Sequence, residues 1–186
     1  MNHKSSLTLE SQRLILRKFK VDDIEAAYKN WMSSEKVCKF LTWGPYDDIS
    51  KVEYIIKLWI NNYIFKNFYN WAICLKDTDE AIGNISAEID ENIGEARIGY
   101  VLSDKYRSQG YMTEALGTVI DFFFNEVNIN RIEARHSIKN PASGEVMKKC
   151  GLTYEGTLRQ KDKSNYGITD LSIYSLLRDE YEQRQK

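Results

Sequence analysis

The sequence has few cysteine and histidine residues, which are the usual zinc ligands. It has only three cysteines, Cys38, Cys74 and Cys150, and two histidines, His3 and His136. The cysteines are odd in number, lack paired spacing and stand among apolar residues, which suits reduced thiols. With the histidines they form none of the ligand spacings that zinc uses. We therefore predict no structural or catalytic metal.

The sequence also lacks a long apolar run and an excess of charge of one sign. Its N-terminus, MNHKSSLTLE, has no apolar signal segment, and no stretch approaches the ~18 apolar residues of a membrane span. Lysine and arginine number 26 against 27 acidic residues. Because these charges nearly cancel, no global field attracts nucleic acid or an acidic membrane. We expect a soluble cytoplasmic protein with neither partner.

Length and pattern predict one α/β domain. The chain has 186 residues, 42% of them hydrophobic, and it contains no repeat, linker or low-complexity tract. Residues 7–19 have the pattern of a first strand, while Asp22 and Ser50, each followed three residues later by glutamate, predict two capping boxes at helix starts. The turn-forming residues 41–48 separate these helices and are placed to line a substrate pocket.

Strands and helices alternate in the rest of the chain. The pattern predicts strands at 69–75, 81–89, 95–102, 131–137, 153–160 and 170–177, and helices at 113–126 and before Gly151. The last two strands flank a polar loop, and the charged tail, 179–186, is expected to fray. This order predicts a mixed sheet flanked by helices, with the core at about residues 8–178.

An anion-binding loop is predicted within Gly99–Leu116, GYVLSDKYRSQGYMTEAL. A strand there leads through small and polar residues into a helix, whose first N–H groups and dipole attract a pyrophosphate. Gly110 permits close approach of the backbone, Arg107 adds a charge-assisted contact, and Thr113 offers a hydroxyl. The alternative is an ordinary surface turn whose arginine is solvated.

The same loop carries a resemblance to a known family. Arg107-Ser-Gln-Gly110-Tyr-Met112 resembles the Arg/Gln-x-x-Gly-x-Gly/Ala signature of the GNAT acetyltransferase superfamily. Met112 departs from the pattern, but it still supplies a backbone N–H if its side chain points away from the ligand.

Later segments resemble one branch of this superfamily, the ribosomal-protein N-terminal acetyltransferases. Asn140–Ser143 with Val146–Leu152 is similar to that branch's second motif. Glu155–Arg159 and Asp170–Leu177 are similar to its closing strands. The resemblance spans nearly the whole chain, so it implies a single acetyltransferase domain over 1–186, with a mostly antiparallel twisted sheet of about seven strands, about four flanking helices and splayed central strands.

The resemblance also implies acetyl-CoA as co-substrate. Residue matching assigns its contacts to Tyr100, Val101, Leu102, Arg107, Ser108, Gln109, Gly110, Tyr111, Met112, Thr113, Asn140 and Ser143. The first three would run beside the pantetheine arm, and Gln109–Thr113 would meet the pyrophosphate. For Asn140 and Ser143 the alternative is a turn and a helix cap, which can coexist with a CoA contact.

Catalysis is expected to proceed by direct attack of an amine on the thioester. A backbone N–H of Val101 or Leu102 is the natural donor to the carbonyl. Many GNAT enzymes have a tyrosine as the acid for the leaving thiolate where this chain has Met147, so Ser143 is our candidate acid; the alternative is a purely positional role for Ser143. Glu88 is our candidate base, because it shares a strand face with Asn84 and Ser86; the alternative is an ordinary exposed carboxylate. His136 is a weaker candidate.

The acceptor and the assembly stay open at this point. A protein N-terminus is the first hypothesis, and a small amine such as an aminoglycoside, polyamine or amino-acid analogue is the second. Cationic small acceptors need an acidic pocket, for which Asp47 and Asp48 are candidates. A third hypothesis is a non-catalytic CoA-binding module, suggested by Met112 and Met147. The chain is expected to be a monomer or a homodimer.

Overall fold

A computed structural model describes residues 1–185, whose backbone is organised around one eight-stranded sheet. The strands are β1 Leu9–Glu10, β2 Leu14–Arg17, β3 Tyr69–Leu75, β4 Ala81–Asp90, β5 Glu95–Leu102, β6 Arg131–Ser137, β7 Thr153–Ser164 and β8 Gly167–Leu177. Their order is β1-β2-β3-β4-β5-β6-β8-β7, and every neighbouring pair is antiparallel except β5 with β6. The predicted mixed, mostly antiparallel α/β fold is confirmed.

Six helices flank this sheet among the described residues. They are α1 Ile24–Ala27, α2 Glu35–Cys38, α3 Ile49–Asn62, α4 Tyr111–Phe122, α5 Pro141–Lys149 and α6 Arg178–Arg184. Wider helical turns prolong α1 to Met32 and α4 to Val127. Within residues 1–185 no helix is both long enough and apolar enough to cross a membrane.

The core lies on both faces of the sheet because the central strands are apolar on both sides. On β3, Trp71 packs beneath α4 with Phe123, while the next residue, Ala72, packs beneath α1 and α3 with Trp31 and Ile56. All five side chains are fully buried. The two hydrophobic layers hold α4 on one face of the sheet and α1–α3 on the other.

The N-terminal segment differs from the single strand predicted for residues 7–19. It forms the hairpin β1–β2, in which Leu9 pairs with Leu16. The backbone N–H of Ser11 donates to the Leu14 carbonyl at 3.0 Å and closes the turn. A serine followed by polar residues thus interrupts the alternation that suggested one continuous strand.

Both predicted capping boxes are wrong by a few residues. Asp23, not Asp22, caps the first helical turn, because its carboxylate accepts the Lys20 N–H at 2.8 Å. Asp48 caps α3 and accepts the N–H of Ser50 at 2.8 Å. In each case a neighbouring aspartate reaches the free N–H groups of the helix start.

The C-terminal segments are more ordered than predicted. The polar residues 161–169 continue β7 and β8 instead of forming a loop, and only Asn165 and Tyr166 connect the two strands. A bulge at Gln160, where φ is +51°, shifts the register of this hairpin. The tail forms helix α6, whose Tyr181 stacks on Phe124 of the core. Lys186 lies outside the described residues.

Strands β5 and β6 part half-way along their length. They pair in parallel from Glu95 with Arg131 to Ile98 with Ala134, and no pairing follows between Gly99–Leu102 and the end of β6. This is the splay that the resemblance implied. It leaves one edge of β5 without a strand partner at the point where α4 and α5 begin.

Charged residues hold the two strands together below the parting. This ion-pair ladder consists of Glu95, Arg97, Arg131, Glu133, Arg135 and Glu155. Glu133 is its centre: it is 6% exposed and bonds to three guanidinium groups. Burial alone would raise the pKa of Glu133, but Arg135 and Arg131 outweigh burial and hold that pKa below its ordinary value. The bond from Arg131 lowers the pKa of Glu155 to about 2.

Candidate active site

A cavity of about 430 Å³ opens where β5 and β6 part. Its walls are the end of β5, the loop before α4, the start of α5 and the segment after α2. The cavity is lined by most of the residues assigned to acetyl-CoA, namely Tyr100, Val101, Leu102, Arg107, Ser108, Gly110, Tyr111, Met112, Thr113, Asn140 and Ser143. The fold thus brings together two motifs that are separated in the sequence.

The loop before α4 presents free backbone N–H groups to this cavity. Ser108 and Gly110 have φ values of +61° and +83°, so the chain turns sharply twice before the helix. The first N–H donated within α4 belongs to Glu114, which bonds to the Gly110 carbonyl at 3.0 Å. The N–H groups of Tyr111–Thr113 therefore have no partner inside the helix, and no side chain among the described residues caps them. Such a turn suits an anion.

Arg13 on the turn before β2 fixes this loop from outside. Its guanidinium donates to the Gln109 carbonyl at 3.1 Å and to the Glu114 carboxylate at 2.7 Å, and it lies 4.3 Å from the centre of the Tyr111 ring. Ser11 adds a hydrogen bond to the same carboxylate at 2.7 Å. The carbonyl of Gln109 therefore points to Arg13, and Gln109 is absent from the cavity lining. Sequence reasoning missed this tether.

Ser143 and Tyr100 close a hydrogen-bonded bridge across the parted strands. The Tyr100 hydroxyl donates to the backbone carbonyl of Ser143 at 2.9 Å, and the Ser143 hydroxyl donates to the Tyr100 oxygen at 2.9 Å. Burial raises the pKa of Tyr100 well above its ordinary value, which keeps the phenol neutral. Asn140 is the N-cap residue that precedes α5, but its side chain makes no capping hydrogen bond there. Its amide is therefore available to the cavity.

The two methionines that depart from the family pattern lie in the core. Met112 is 6% exposed and Met147 is 1% exposed, and both belong to the hydrophobic layer beneath α4. Neither side chain takes the place of a polar group in the cavity. His136 is packed against Gly144 of α5, and its Nδ1–H donates to the Ser137 carbonyl at 2.8 Å, so its ring supports α5 from beneath.

Glu88 does not lie at the cavity. Its side chain is 84% exposed and bonds to Arg97, which stands opposite it on β5. Asn84 shares the same strand face but is buried against Asn70 and the Trp71 carbonyl. The structure thus separates the polar row of β4 from the other predicted site residues.

One part of the cavity wall is apolar. It consists of Val37, Phe40, Leu41 and Val101, and we call it the acceptor end. Of the predicted loop 41–48, Leu41 alone is part of the lining. Asp47 is 82% exposed and bonds to Lys51, and Asp48 caps α3, so neither makes the acceptor end acidic.

Asn165 holds this end of the cavity in place from the tip of the β7–β8 hairpin. Its N–H donates to the Leu41 carbonyl at 3.0 Å. Its side-chain amide lies 2.9 to 3.0 Å from the carbonyls of Cys38, Trp43 and Gly44. One asparagine therefore ties the hairpin to the segment that lines the acceptor end.

The cysteines have no part in this lining. Cys38 and Cys74 are buried, and burial raises the pKa of the Cys38 thiol to about 11. Burial likewise raises the pKa of Cys150 to about 12, which keeps it a thiol. Among residues 1–185 no group of three His, Cys, Asp or Glu side chains is arranged to hold a metal ion.

Comparison with known proteins agrees with this geometry. Residues 13–153 match the family model described as acetyltransferase (GNAT) domain, which covers the parted strands, the α4 loop and α5. The chain belongs to the GNAT acetyltransferase family. The predicted family and the enzyme class of N-acetyltransferase are thereby confirmed.

Individual relatives and solved structures cover from about half of the chain to almost all of it. The uncharacterized N-acetyltransferase p20 of Bacillus licheniformis is 34% identical over 176 residues, which are 94% of this chain and 98% of that protein. The ribosomal-protein-serine acetyltransferase of Escherichia coli strain K12 is 30% identical over 102 residues, 54% of this chain and 57% of that one. The solved structure of RimL, a ribosomal L7/L12 alpha-N-protein acetyltransferase in complex with coenzyme A, has a TM-score of 0.83 at 21% identity and covers 94% of this chain and 99% of its own.

Gly110 tests the anion-binding loop of this GNAT chain. A Cβ added there would lie 3.4 Å from the Arg13 guanidinium, so a tryptophan would displace the tether that positions the free N–H groups. We expect Gly110→Trp to weaken CoA binding about tenfold or more, because each charge-assisted bond is worth about 1.5–3 kcal/mol. The positive φ adds about 1–2 kcal/mol of strain for a side chain, so the variant should melt earlier but remain folded. Calorimetric titration with CoA and thermal melting measure both effects.

The matched control is Gly117→Ala on the same helix. An added Cβ meets nothing within 4 Å at Gly117, and alanine favours the helix. We expect unchanged CoA affinity for this control. A folded Gly110→Trp variant that binds CoA as the wild type does would place the phosphate site elsewhere.

Proposed function

We propose that this chain transfers the acetyl group of acetyl-CoA directly onto a primary amine, and that the amine is a protein or peptide N-terminus. The observation that carries the proposal is the parting of β5 from β6 beside an uncapped helix start. A free strand edge can pair with the amides of a pantetheine arm, and free helix N–H groups can hold a pyrophosphate. Both lie in one cavity.

The charges of the cavity support CoA as the ligand. Its lining contains two basic side chains, Arg107 and Lys149, and one carboxylate, Glu145. Glu145 is bonded to Lys148 at 2.8 Å, which offsets its charge. The lining as a whole therefore carries a net positive charge, which suits a ligand with several phosphates.

The reaction needs a polarised carbonyl and a proton for the departing thiolate. Successive N–H groups of a strand point to opposite edges, and the Ser103 N–H bonds to the Ile82 carbonyl on the β4 side. Of the two predicted donors, Val101 therefore faces β4, and the N–H of Leu102 on the free edge of β5 would stabilise the developing oxyanion. As the amine nitrogen bonds to the carbonyl carbon and the C–S bond breaks, the Ser143 hydroxyl, which donates to the Tyr100 oxygen in the free enzyme, would give its proton to the thiolate. The proton that the amine nitrogen loses would restore the serine hydroxyl. Because the phenol of Tyr100 is neutral, it orients the Ser143 hydroxyl without adding a charge to the site.

The scarcity of bases in the cavity favours an N-terminal α-amine as acceptor. The α-amine of a peptide has a pKa of about 7.7, against about 10.4 for a lysine side chain, so part of it is already neutral near pH 7. Glu145, the sole carboxylate of the lining, is already paired. Glu88 stays a predicted base that would act only from outside the cavity. An acceptor that deprotonates readily suits such a site best.

The other two hypotheses have less support. The acceptor end contains no acidic side chain to hold a polyamine or an aminoglycoside, since Asp47 and Asp48 are engaged elsewhere. The burial of Met112 and Met147 removes the main reason to suspect a non-catalytic CoA-binding module. The ribosomal-protein acetyltransferases among the relatives and solved structures agree with a peptide N-terminus.

Thiol release from acetyl-CoA tests the proposal. We expect CoA to bind and to raise the free energy of unfolding by about 2.7 kcal/mol at 100 times its Kd, because only the folded state binds it. Peptides with a free N-terminus should then release thiol, and the same peptides with a blocked N-terminus should not. Absence of heat in a CoA titration, with an unchanged Tm at millimolar CoA, would refute the acetyltransferase activity.

A further inference from the structure

Two lysine side chains converge on one tyrosine ring beside the acceptor end. The Nζ atom of Lys39 lies 4.8 Å from the centre of the Tyr166 ring, and that of Lys139 lies 4.2 Å from it. Lys39 precedes Phe40 of the cavity lining, and Lys139 precedes Asn140. The Tyr166 ring packs against Phe40 of the acceptor end, so the two ammonium groups lie beside that end.

Tyr166, the tyrosine that both lysines contact, is positioned by its neighbours. Tyr166 follows Asn165, whose hydrogen bonds fix the hairpin tip to the segment after α2. The Tyr166 ring also packs against Phe40, with ring centres 5.8 Å apart. Cation–π attraction to one fixed ring limits the freedom of both lysines before any ligand arrives, which lowers the entropy cost of binding.

Neither ammonium group is neutralised by the part of the chain that the structure describes. Neighbouring lysines are paired: Lys36 with Asp104 at 2.7 Å, and Lys148 with Glu145 at 2.8 Å. Within residues 1–185 no carboxylate lies within 4 Å of Lys39 or Lys139, although both side chains are exposed. The two adjacent ammonium groups are therefore available to bind an anionic group.

We propose that Lys39 and Lys139 bind acidic side chains of the acceptor peptide and so select N-termini followed by aspartate or glutamate. This inference rests on the proposed function. The amine would enter the apolar acceptor end, and an extended peptide rises about 3.3 Å per residue, so side chains two or three positions along reach the rim. A cationic acceptor would meet like charges there.

The expected size of this preference is modest because both lysines are exposed. One exposed ion pair is worth about 0.2–1 kcal/mol, so two pairs together give a preference of about tenfold at low salt. The effect should appear mainly in KM, since the charges lie away from the reacting atoms. It should also shrink as salt screens the charges.

Three peptides with the same N-terminal residue test the proposal: one with acidic, one with neutral and one with basic residues at positions two to four. Their kcat/KM values are compared for the wild type, for the Lys39→Met/Lys139→Met double variant and for the control Lys57→Met, which removes an exposed lysine on α3. We expect the wild type and the control to favour the acidic peptide about tenfold over the neutral one. The double variant should lose this preference while its turnover on the neutral peptide persists.

The other outcomes separate this inference from the proposed function. Equal kcat/KM values for all three peptides in the wild type would overturn the charge selection and leave the acetyltransferase activity intact. A preference for the small acidic amines aspartate or phosphoethanolamine over every peptide would overturn the peptide as occupant. Failure to acetylate any amine, although CoA binds, would overturn the proposed function and this inference with it.

Discussion

The Ser143→Ala variant is expected to turn over about 100-fold more slowly than the wild type at saturating acetyl-CoA and acceptor, which is the usual scale of general acid catalysis. In the free protein the hydroxyl is 2.9 Å from the Tyr100 oxygen and faces the cavity between the parted strands. A proton delivered to the thiolate matters in the transition state and not in the ground state. Turnover should therefore fall much more than affinity for acetyl-CoA.

Two further variants distinguish acid catalysis from positioning. Tyr100→Phe removes the oxygen that orients the serine but leaves its proton, so we expect a smaller loss of turnover than in Ser143→Ala. Thr118→Ala removes a hydroxyl of α4 that bonds only to the Glu114 carbonyl and should leave turnover unchanged. A Ser143→Ala turnover within about threefold of the wild type, far below the acid-catalysis scale, would remove Ser143 from the catalytic residues.

The Glu133→Ala variant is expected to lose about 3 kcal/mol of unfolding free energy. Removing one partner of a buried ion pair usually costs about 3–5 kcal/mol, because the other charge stays buried without a partner. We expect the lower limit, since two of the three arginines that would be left, Arg97 and Arg135, are 39% and 30% exposed and can turn to water. Urea denaturation at neutral pH measures the loss.

An exposed carboxylate provides the control for Glu133. Glu53 bonds to Lys57 on α3 and is 46% exposed, so Glu53→Ala should change the free energy of unfolding by less than about 0.5 kcal/mol. The variant Glu133→Gln keeps the shape of the side chain and should lose less than the alanine variant. A loss below about 1 kcal/mol for Glu133→Ala would show that the ion-pair ladder contributes no more than an exposed pair.

Elements set by local pattern could be predicted closely from the sequence. Strands at 69–75, 95–102 and 131–137 have the predicted bounds, because apolar residues and turn signals near each end determine them. The helix caps could not be predicted to the residue. Adjacent aspartates such as Asp22 and Asp23 compete for the same N–H groups, and backbone direction decides between them.

Contacts between segments that are far apart in the sequence could not be predicted. Arg13 and Glu114 are 101 residues apart, and the sequence marks neither as a site residue, yet together they fix the α4 loop. The bonds of Asn165 to the segment after α2 are equally long in range. Strand periodicity indicates Glu88 as a base because it gives the face of β4 on which a side chain lies. It does not give the distance of that side chain from a cavity.

The outer edges of the sheet restrict how this chain can meet another copy of itself. β1 is only two residues long, and β7 carries the bulge at Gln160 amid the charged residues Arg159, Lys161, Asp162 and Lys163. Short, bent and charged edges resist the addition of a foreign strand. Any self-association should therefore use helices or loops, and the folded protein should be a poor template for growth of β-structured aggregates.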